Sequence, residues 1–330
     1  MTLLRVQNLQ KHFKTESGLL TNLTNKVRGR EPDYVRAVDG ISFELEEGET
    51  LGIAGESGCG KSTTGMLLTK LYEPTGGDIF YRGNQFSSLA DGEMDEYRQN
   101  VQMIFQDPFE SLNPSMTVYD TLAEPLRMFD YEYERDRIYR ILRYVGLQPP
   151  EEHINSLPGE LSGGMRQRVA IARALILDPD FIVADEPVSM LDVSLRAGVL
   201  SLMNDMTEEF GLSVVYISHD ISLLQHMCDR IAIMYMGKIV EIGSAEEIVS
   251  NPKHPYTQAL INAVPVPNPN QNRSRVELPG EVGDAVNIPQ GCRFKDRCPE
   301  YMEGVCDKEP TLEKKDETTS DRKVSCHLYE

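Results

Sequence analysis

Nine residues constrain this chain more than any others. GESGCGKST, at 55–63, follows the apolar run ETLGIAG and leads into TTGMLLTKL. Gly55-x-x-x-x-Gly60-Lys61-Ser62 therefore stands between a strand and a helix, the setting in which a phosphate-binding loop works. Its glycines let the backbone wrap closely around phosphates. Lys61 reaches the β- and γ-phosphates, and the Ser62 hydroxyl ligates Mg²⁺. A chance glycine-rich turn would need neither the strand before nor the helix after. The nucleotide-binding candidates are thus Gly55, Glu56, Ser57, Gly58, Cys59, Gly60, Lys61, Ser62 and Thr63. Cys59 lies just before a helix N-terminus and near a lysine, where a thiol's pKa is lowered; the plainer alternative is a thiol buried against the sheet.

The rest of the chain supplies the frame such a loop requires. LLRVQNLQKHF alternates apolar and polar residues like a half-buried strand. FIVADEP and SVVYISHD are continuous apolar runs, as in parallel strands buried on both faces. RIAIMYMGKIVEIG reads as a hairpin. Between about 107 and 165 the character turns helical, with Ile138, Ile141, Leu142 and Val145 on one face. Residues 16–33 read as a polar loop between strands, and VPVPNPNQN, from 264, as a linker. Alternating strands and helices give an α/β core with a mainly parallel sheet. No run of eighteen apolar residues occurs, and the first residues lack a signal-peptide h-region, so the chain is expected in the cytosol or on a membrane only through partners. A formal net charge of −19 argues against a nucleic-acid or anionic-membrane surface.

Several polar residues fall at strand ends, where ligands bind in open α/β sheets. Asp185 and Glu186 close FIVADE: Asp185 suits an Mg²⁺ partner, and Glu186 suits a base that orients and polarises an attacking water. His219, after SVVYIS, could contact a γ-phosphate, and Gln106, after VQMIF, could sense Mg²⁺ and the water. Each of the last two, alone, is no more than a polar residue in a loop. A second glycine site, LSGGMRQRVAIARAL at 161–175, puts Ser162, Gly163 and Gly164 before a helix, again a way to hold an anion.

The ordered set of phosphate loop, Gln106, LSGG, Asp185–Glu186, SMLD at 189–192 and His219 resembles the ATP-binding subunit of an ABC transporter over roughly residues 1–262. The resemblance implies a P-loop ABC-type ATPase core over 1–263, with an antiparallel β subdomain and the helical subdomain at about 107–165. It makes LSGGMRQRV the signature, SMLD the D-loop, Gln106 the Q-loop and His219 the switch histidine. Phe13 falls where the family stacks a ring on adenine. Met165 departs from the commonest signature, which has glutamine there. In this family two ATPase subunits pack head to tail, and the signature of one closes over the γ-phosphate held by the other. The second glycine site then serves the partner's nucleotide. Catalysis is expected of Glu186, His219 and Gln106, and Mg²⁺ is expected on Ser62, Gln106 and Asp185.

NPKHPYTQALINAVPVPNP at 251–269, QDPFESLNP at 106–114 and the cysteines of the tail look like the subfamily that imports dipeptides and oligopeptides. Other members serve nickel or oligosaccharides. The resemblance implies two membrane permeases, a second ATPase subunit that is a paralogue, an extracytoplasmic substrate-binding protein, and a peripheral place on the cytoplasmic face of the cell membrane. Residues 264–330 form the C-terminal extension, a small Cys-rich tail. Its Cys292, Cys298, Cys306 and Cys326 suit zinc or iron–sulfur, and the resemblance selects a [4Fe–4S] cluster, with zinc or unligated thiols as the alternatives. So polar a segment buries too little apolar surface to order itself unaided. A soluble ABC ATPase acting on nucleic acid is the rival class, and the net charge opposes it.

Overall fold

The computed structural model of the chain describes residues 1–15, 33–86, 89, 91–132, 134–263, 285, 286, 288–314 and 321–329. The loop expected at 16–33, apart from Asp33, and the linker expected from 264 lie outside them. Twelve strands are described: β1 (Thr2–Lys14), β2 (Tyr34–Glu46), β3 (Thr50–Ala54), β4 (Gly76–Tyr81), β5 (Asn84–Gln85), β6 (Val101–Ile104), β7 (Phe181–Asp185), β8 (Ser213–Ser218), β9 (Arg230–Tyr235), β10 (Lys238–Ser244), β11 (Glu313–Lys314) and β12 (Lys323–Val324).

One compact unit comprises Thr2–Glu44, Leu51–Ser87 and Ser218–Glu330. It contains an antiparallel sheet in the order β2-β1-β4-β5. The alternation in β1 places Leu4 opposite Tyr81 and Val6 opposite Ile79, and all four are buried. In the same unit β3 pairs with β9 in parallel, Leu51 opposite Arg230 and Ala54 opposite Ile233. The expected hairpin is formed by β9 and β10. Its two loop residues, Met236 and Gly237, have φ of 43° and 79°, because a two-residue connection matches the strand twist only with left-handed backbone. The phosphate loop leaves β3 and enters the helix Lys61–Leu68.

The described residues of the tail belong to this unit and are ordered by what they join. β12 pairs with β10, Glu241 opposite Val324, and with β11. Phe294 is 1% exposed and packs edge-on against Tyr235, with ring centroids 5.3 Å apart. Three tail arginines meet acids of the preceding chain: Arg293 with Asp39, Arg297 with Glu56, and Arg322 with the fully buried Glu241. The polarity that argues against independent order is thus spent on ion pairs and sheet hydrogen bonds.

The other unit is Met1, Leu45–Thr50 and Ser88–Ile217. Here β6, β7 and β8 are parallel neighbours, Val101 opposite Phe181 and Phe181 opposite Ser213. Every residue of β7 and β8 is buried, as the continuous apolar runs require. The helices Val118–Met128, Glu134–Tyr144 and Gly163–Leu175 pack on one another. The first begins with a capping box, Thr117 and Asp120 each accepting from the other's backbone N–H. The face read at Ile138, Ile141, Leu142 and Val145 is buried. No helix among the described residues is long and apolar enough to cross a membrane.

Candidate functional site

The phosphate loop is shaped by its glycines. Gly60, the N-cap of Lys61–Leu68, has a φ of 105°, and a Cβ there would lie 2.0 Å from the Ala37 carbonyl oxygen. A Cβ on Gly55 would lie 2.2 Å from the Met234 carbonyl oxygen and 2.8 Å from the Cys59 sulfur. Only glycine fits either position. Lys61 is 6% exposed, and its ammonium donates to the carbonyl oxygens of Gly55 at 2.8 Å and Glu56 at 3.0 Å. Ser62 and Thr63 are half-buried in the first turn, Ser57 is exposed, and Gly58 has a φ of 78° with open space around it.

Cys59 departs from the low-pKa reading. Its side chain is wholly buried, and burial pushes the thiol up despite the nearby Lys61 ammonium. Space left by the missing side chain of Gly55 takes its sulfur. Cys228, outside the tail set, is also buried and pushed up; it caps the end of the helix Ile221–Met227.

Phe13 sits near the end of β1 with its ring 5.5 Å from that of Tyr72, edge to face. The Lys11 ammonium lies 5.2 Å from one ring centroid and 5.4 Å from the other. Tyr72 carries no periodic or motif signal in the sequence. His219, exposed just beyond β8, is followed by Asp220, whose carboxylate caps the next helix by accepting from the N–H groups of Ser222 and Leu223.

In the other unit Gln106 and Glu186 come together, the Gln106 amide donating to Glu186 Oε2 at 3.2 Å. Glu186 follows directly on β7, with a φ of 42°. Left-handed backbone is costly for a residue with a Cβ. Here three hydrogen bonds hold it: the Glu186 N–H donates to the Ile217 carbonyl at 2.9 Å, and its own carbonyl accepts from Ser189 N–H at 3.1 Å and Ser189 Oγ at 3.0 Å. Asp185, last residue of β7, is buried. The SMLD residues turn from here into the helix Val193–Phe210, with Asp192 at its N-cap.

Ser162 caps Gly163–Leu175 by accepting from the Met165 N–H at 3.3 Å. Its side chain is exposed, Gly163 is half-buried and Gly164 buried. By helix geometry the N–H groups of Gly163 and Gly164 have no acceptor within the helix. Three polar groups of the second glycine site are thus set at the positive end of a helix of 13 residues. Arg166 steadies the approach, donating to the carbonyls of Pro158 and Gly159 and lying 3.8 Å from the centroid of Phe109.

The tail cysteines do not support the metal expectation. Among the described residues no three His, Cys, Asp or Glu side chains are grouped to hold a metal ion. The Cys292 N–H donates to the Cys306 carbonyl at 2.9 Å. Burial, with neighbouring thiols adding, raises Cys292 and Cys326 to about 11 each and pushes Cys298 up as well. With no such group among the described residues, neither the [4Fe–4S] cluster nor zinc is supported.

Residues 38–189 match the family described as ABC transporter, and residues 240–306 match the oligopeptide/dipeptide transporter C-terminal region. The chain is 44% identical to the oligopeptide transport ATP-binding protein AppF of Bacillus subtilis, over 99% of this chain and 98% of that one. It is 43% identical to the dipeptide transport ATP-binding protein DppF of Haemophilus influenzae, over 98% and 96%. Among solved structures it resembles a dimeric, post-hydrolysis ATP-binding cassette, MJ0796 bound to ADP and Pi, with a TM-score of 0.62 and 28% identity over 74% of this chain and 99% of that one.

Proposed function

Since this chain belongs to the ABC transporter family and carries the C-terminal region of oligopeptide/dipeptide transporters, we propose that it is the ATP-hydrolysing subunit of an importer, coupling ATP hydrolysis to uptake of dipeptides or oligopeptides through a membrane permease. The reaction is ATP + H₂O to ADP + phosphate. The loop amides of residues 55–63 and Lys61 bind the phosphates, and Phe13 stacks on the adenine. Lys61 already makes hydrogen bonds that a phosphate oxygen can replace. Ser62, Gln106 and Asp185 are hard oxygen donors of the kind Mg²⁺ takes; bound Mg²⁺ neutralises phosphate charge. Glu186 is the base: it accepts the proton of the attacking water, and Gln106 orients it. His219 supports the γ-phosphate.

The observation that carries this reading is the state of Glu186. A carboxylate is fixed on left-handed backbone at the end of a wholly buried strand, with a glutamine amide 3.2 Å away. Backbone strain at such a place is kept where geometry serves chemistry. Ser162, Gly163 and Gly164 serve the nucleotide of a second ATPase subunit, packed head to tail and a paralogue of this one. The dimeric state of the MJ0796 cassette supports this. Two permease subunits and, beyond them, an extracytoplasmic binding protein complete the assembly, which places the chain peripherally on the cytoplasmic face of the cell membrane.

Glu186→Gln tests the assignment. ATP binding should persist while turnover falls roughly 10²–10⁴-fold, the range of general-base catalysis, and peptide uptake in cells should stop. Near-normal hydrolysis would remove Glu186 from the role.

A further inference from the structure

The second residue of the phosphate loop is held from the far end of the chain. Arg297 Nη1 donates to Glu56 Oε2 at 2.8 Å and Nη2 to Oε1 at 3.0 Å. This is the fork geometry in which guanidinium and carboxylate bind most strongly. The arginine side chain is 8% exposed, and Nη1 also lies 3.5 Å from the Tyr235 hydroxyl. The other polar groups of Glu56 are tied as well. Its N–H donates to the Tyr256 hydroxyl at 2.9 Å, and its carbonyl accepts from the Lys61 ammonium at 3.0 Å. Arg297 and Tyr256 are set by one aromatic cluster. Phe294 packs on Tyr235 and Tyr256, with centroids 5.3 and 5.4 Å away, and its carbonyl accepts from the Arg297 N–H at 3.0 Å.

A carboxylate inside a loop that must wrap a triphosphate is unfavourable by charge alone. Buried cations and anions interact strongly over such distances, so a bare Glu56 would repel the ligand that Lys61 attracts. The fork on Arg297 cancels that charge and fixes the direction in which the carboxylate points. The tail that delivers Arg297 is itself anchored twice more, through Arg293 on Asp39 and the Met236 carbonyl, and through Arg322 on Glu241 and the Asn251 carbonyl.

We propose that Arg297 is a positioning residue of the ATP site, neutralising Glu56 and fixing the backbone of the phosphate loop, so that tight ATP binding requires the docked tail. The proposal rests on the reading of residues 55–63 as the loop that grips ATP. With the tail docked, the loop presents Lys61 and its amides to the phosphates. With the tail displaced, the same loop carries an unpaired negative charge. Tail docking therefore gates nucleotide affinity rather than the chemical step.

The test uses the full chain and measures ATP binding by displacement of a fluorescent ATP analogue, together with KM and kcat for hydrolysis. Arg297→Met should raise the Kd and KM for ATP about tenfold or more, a change of the size one lost charge interaction brings, while kcat at saturating ATP moves far less. AMP, with less charge, should lose less affinity than ATP. In Glu56→Gln/Arg297→Met the repelling charge is gone, and ATP affinity should return to within about threefold of the parent chain. Arg297→Lys, which keeps the charge and loses the fork, should fall between; it carries the test if Arg297→Met does not fold. Unchanged ATP affinity in Arg297→Met, or in Arg297→Lys where that stands in, overturns the proposal. So does a double variant as weak as the single one, since the arginine would then act through tail folding alone. Lys61→Ala separates the two levels. If it binds ATP normally, the loop reading itself fails; if it loses ATP while Arg297→Met keeps it, only the role of Arg297 falls.

Discussion

His254 makes the stability of the unit that carries the phosphate loop depend on pH in a direction that can be worked out. The ring is wholly enclosed, and its Nδ1 accepts from the Tyr256 N–H at 3.1 Å. Burial holds the imidazole well below its ordinary value of 6.5, to about 3. A protonated ring would lose that acceptor and bury a charge beside Phe294, 5.7 Å away. Since the folded pKa is depressed, the contribution is whole above about pH 6.5. As pH falls, the unfolded chain takes up a proton that the folded chain refuses, at about 1.36 kcal/mol per pH unit. The loss therefore runs from pH 6.5 down to about 3. By pH 5 it amounts to about 2 kcal/mol. The perturbation is a change from pH 7 to pH 5, in the parent chain and in His254→Gln, whose amide oxygen can still accept from Tyr256. The assay is urea unfolding followed by the fluorescence of the tyrosines around Phe294. The parent should lose about 2 kcal/mol more than the variant over this interval. Equal losses in the two proteins would refute the reasoning. Tyr256 also holds the Glu56 N–H; because the folded ring stays neutral over this interval, the ATP affinity of folded parent and variant should change alike.

Three further outcomes are expected. Ser162→Arg should leave ATP binding by the isolated subunit intact, because its own phosphate loop is untouched, while ATP-driven dimerisation and hydrolysis fail together; light scattering with and without ATP checks this. Cys59 should react with a maleimide far more slowly than a free cysteine at pH 7, with bound ATP making little difference, and mass spectrometry of timed samples measures it. The tail thiols Cys292 and Cys326, at about 11 against an ordinary 9.0, should carry roughly 100-fold less thiolate than a free cysteine at pH 8 and react correspondingly slowly; about four iron, or one zinc, per chain in anaerobically purified protein would show that the tail rearranges around a metal.

Where a residue type and a spacing carry the physics locally, the chain was readable. Gly55 and Gly60 need their positions because backbone oxygens stand about 2 Å from where a Cβ would be, and that need is visible as a motif. Continuous apolar runs announced β7 and β8, and 3.6-residue periodicity announced Glu134–Tyr144. For Cys59 the chemical neighbours in the sequence, a lysine and a helix start, differ from the neighbours in space. The space vacated by Gly55 buries it. β12 has two residues, too few to show a period, and only its partners β10 and β11 make it a strand. Tyr72 pairs with Phe13 and Arg297 with Glu56 across 59 and 241 positions, and no local pattern encodes a contact made only after folding.

The separation of Glu56 from Arg297 also sets an order of events during synthesis. The loop leaves the ribosome 241 residues ahead of its arginine. At about 5–20 residues per second, that is tens of seconds. Through that time the nascent cassette has its glycines, its lysine and an uncancelled carboxylate, in a cytoplasm full of nucleotide. If the arginine acts as proposed, an unfinished chain is a poor binder of ATP, and a translation product truncated before residue 297 stays one.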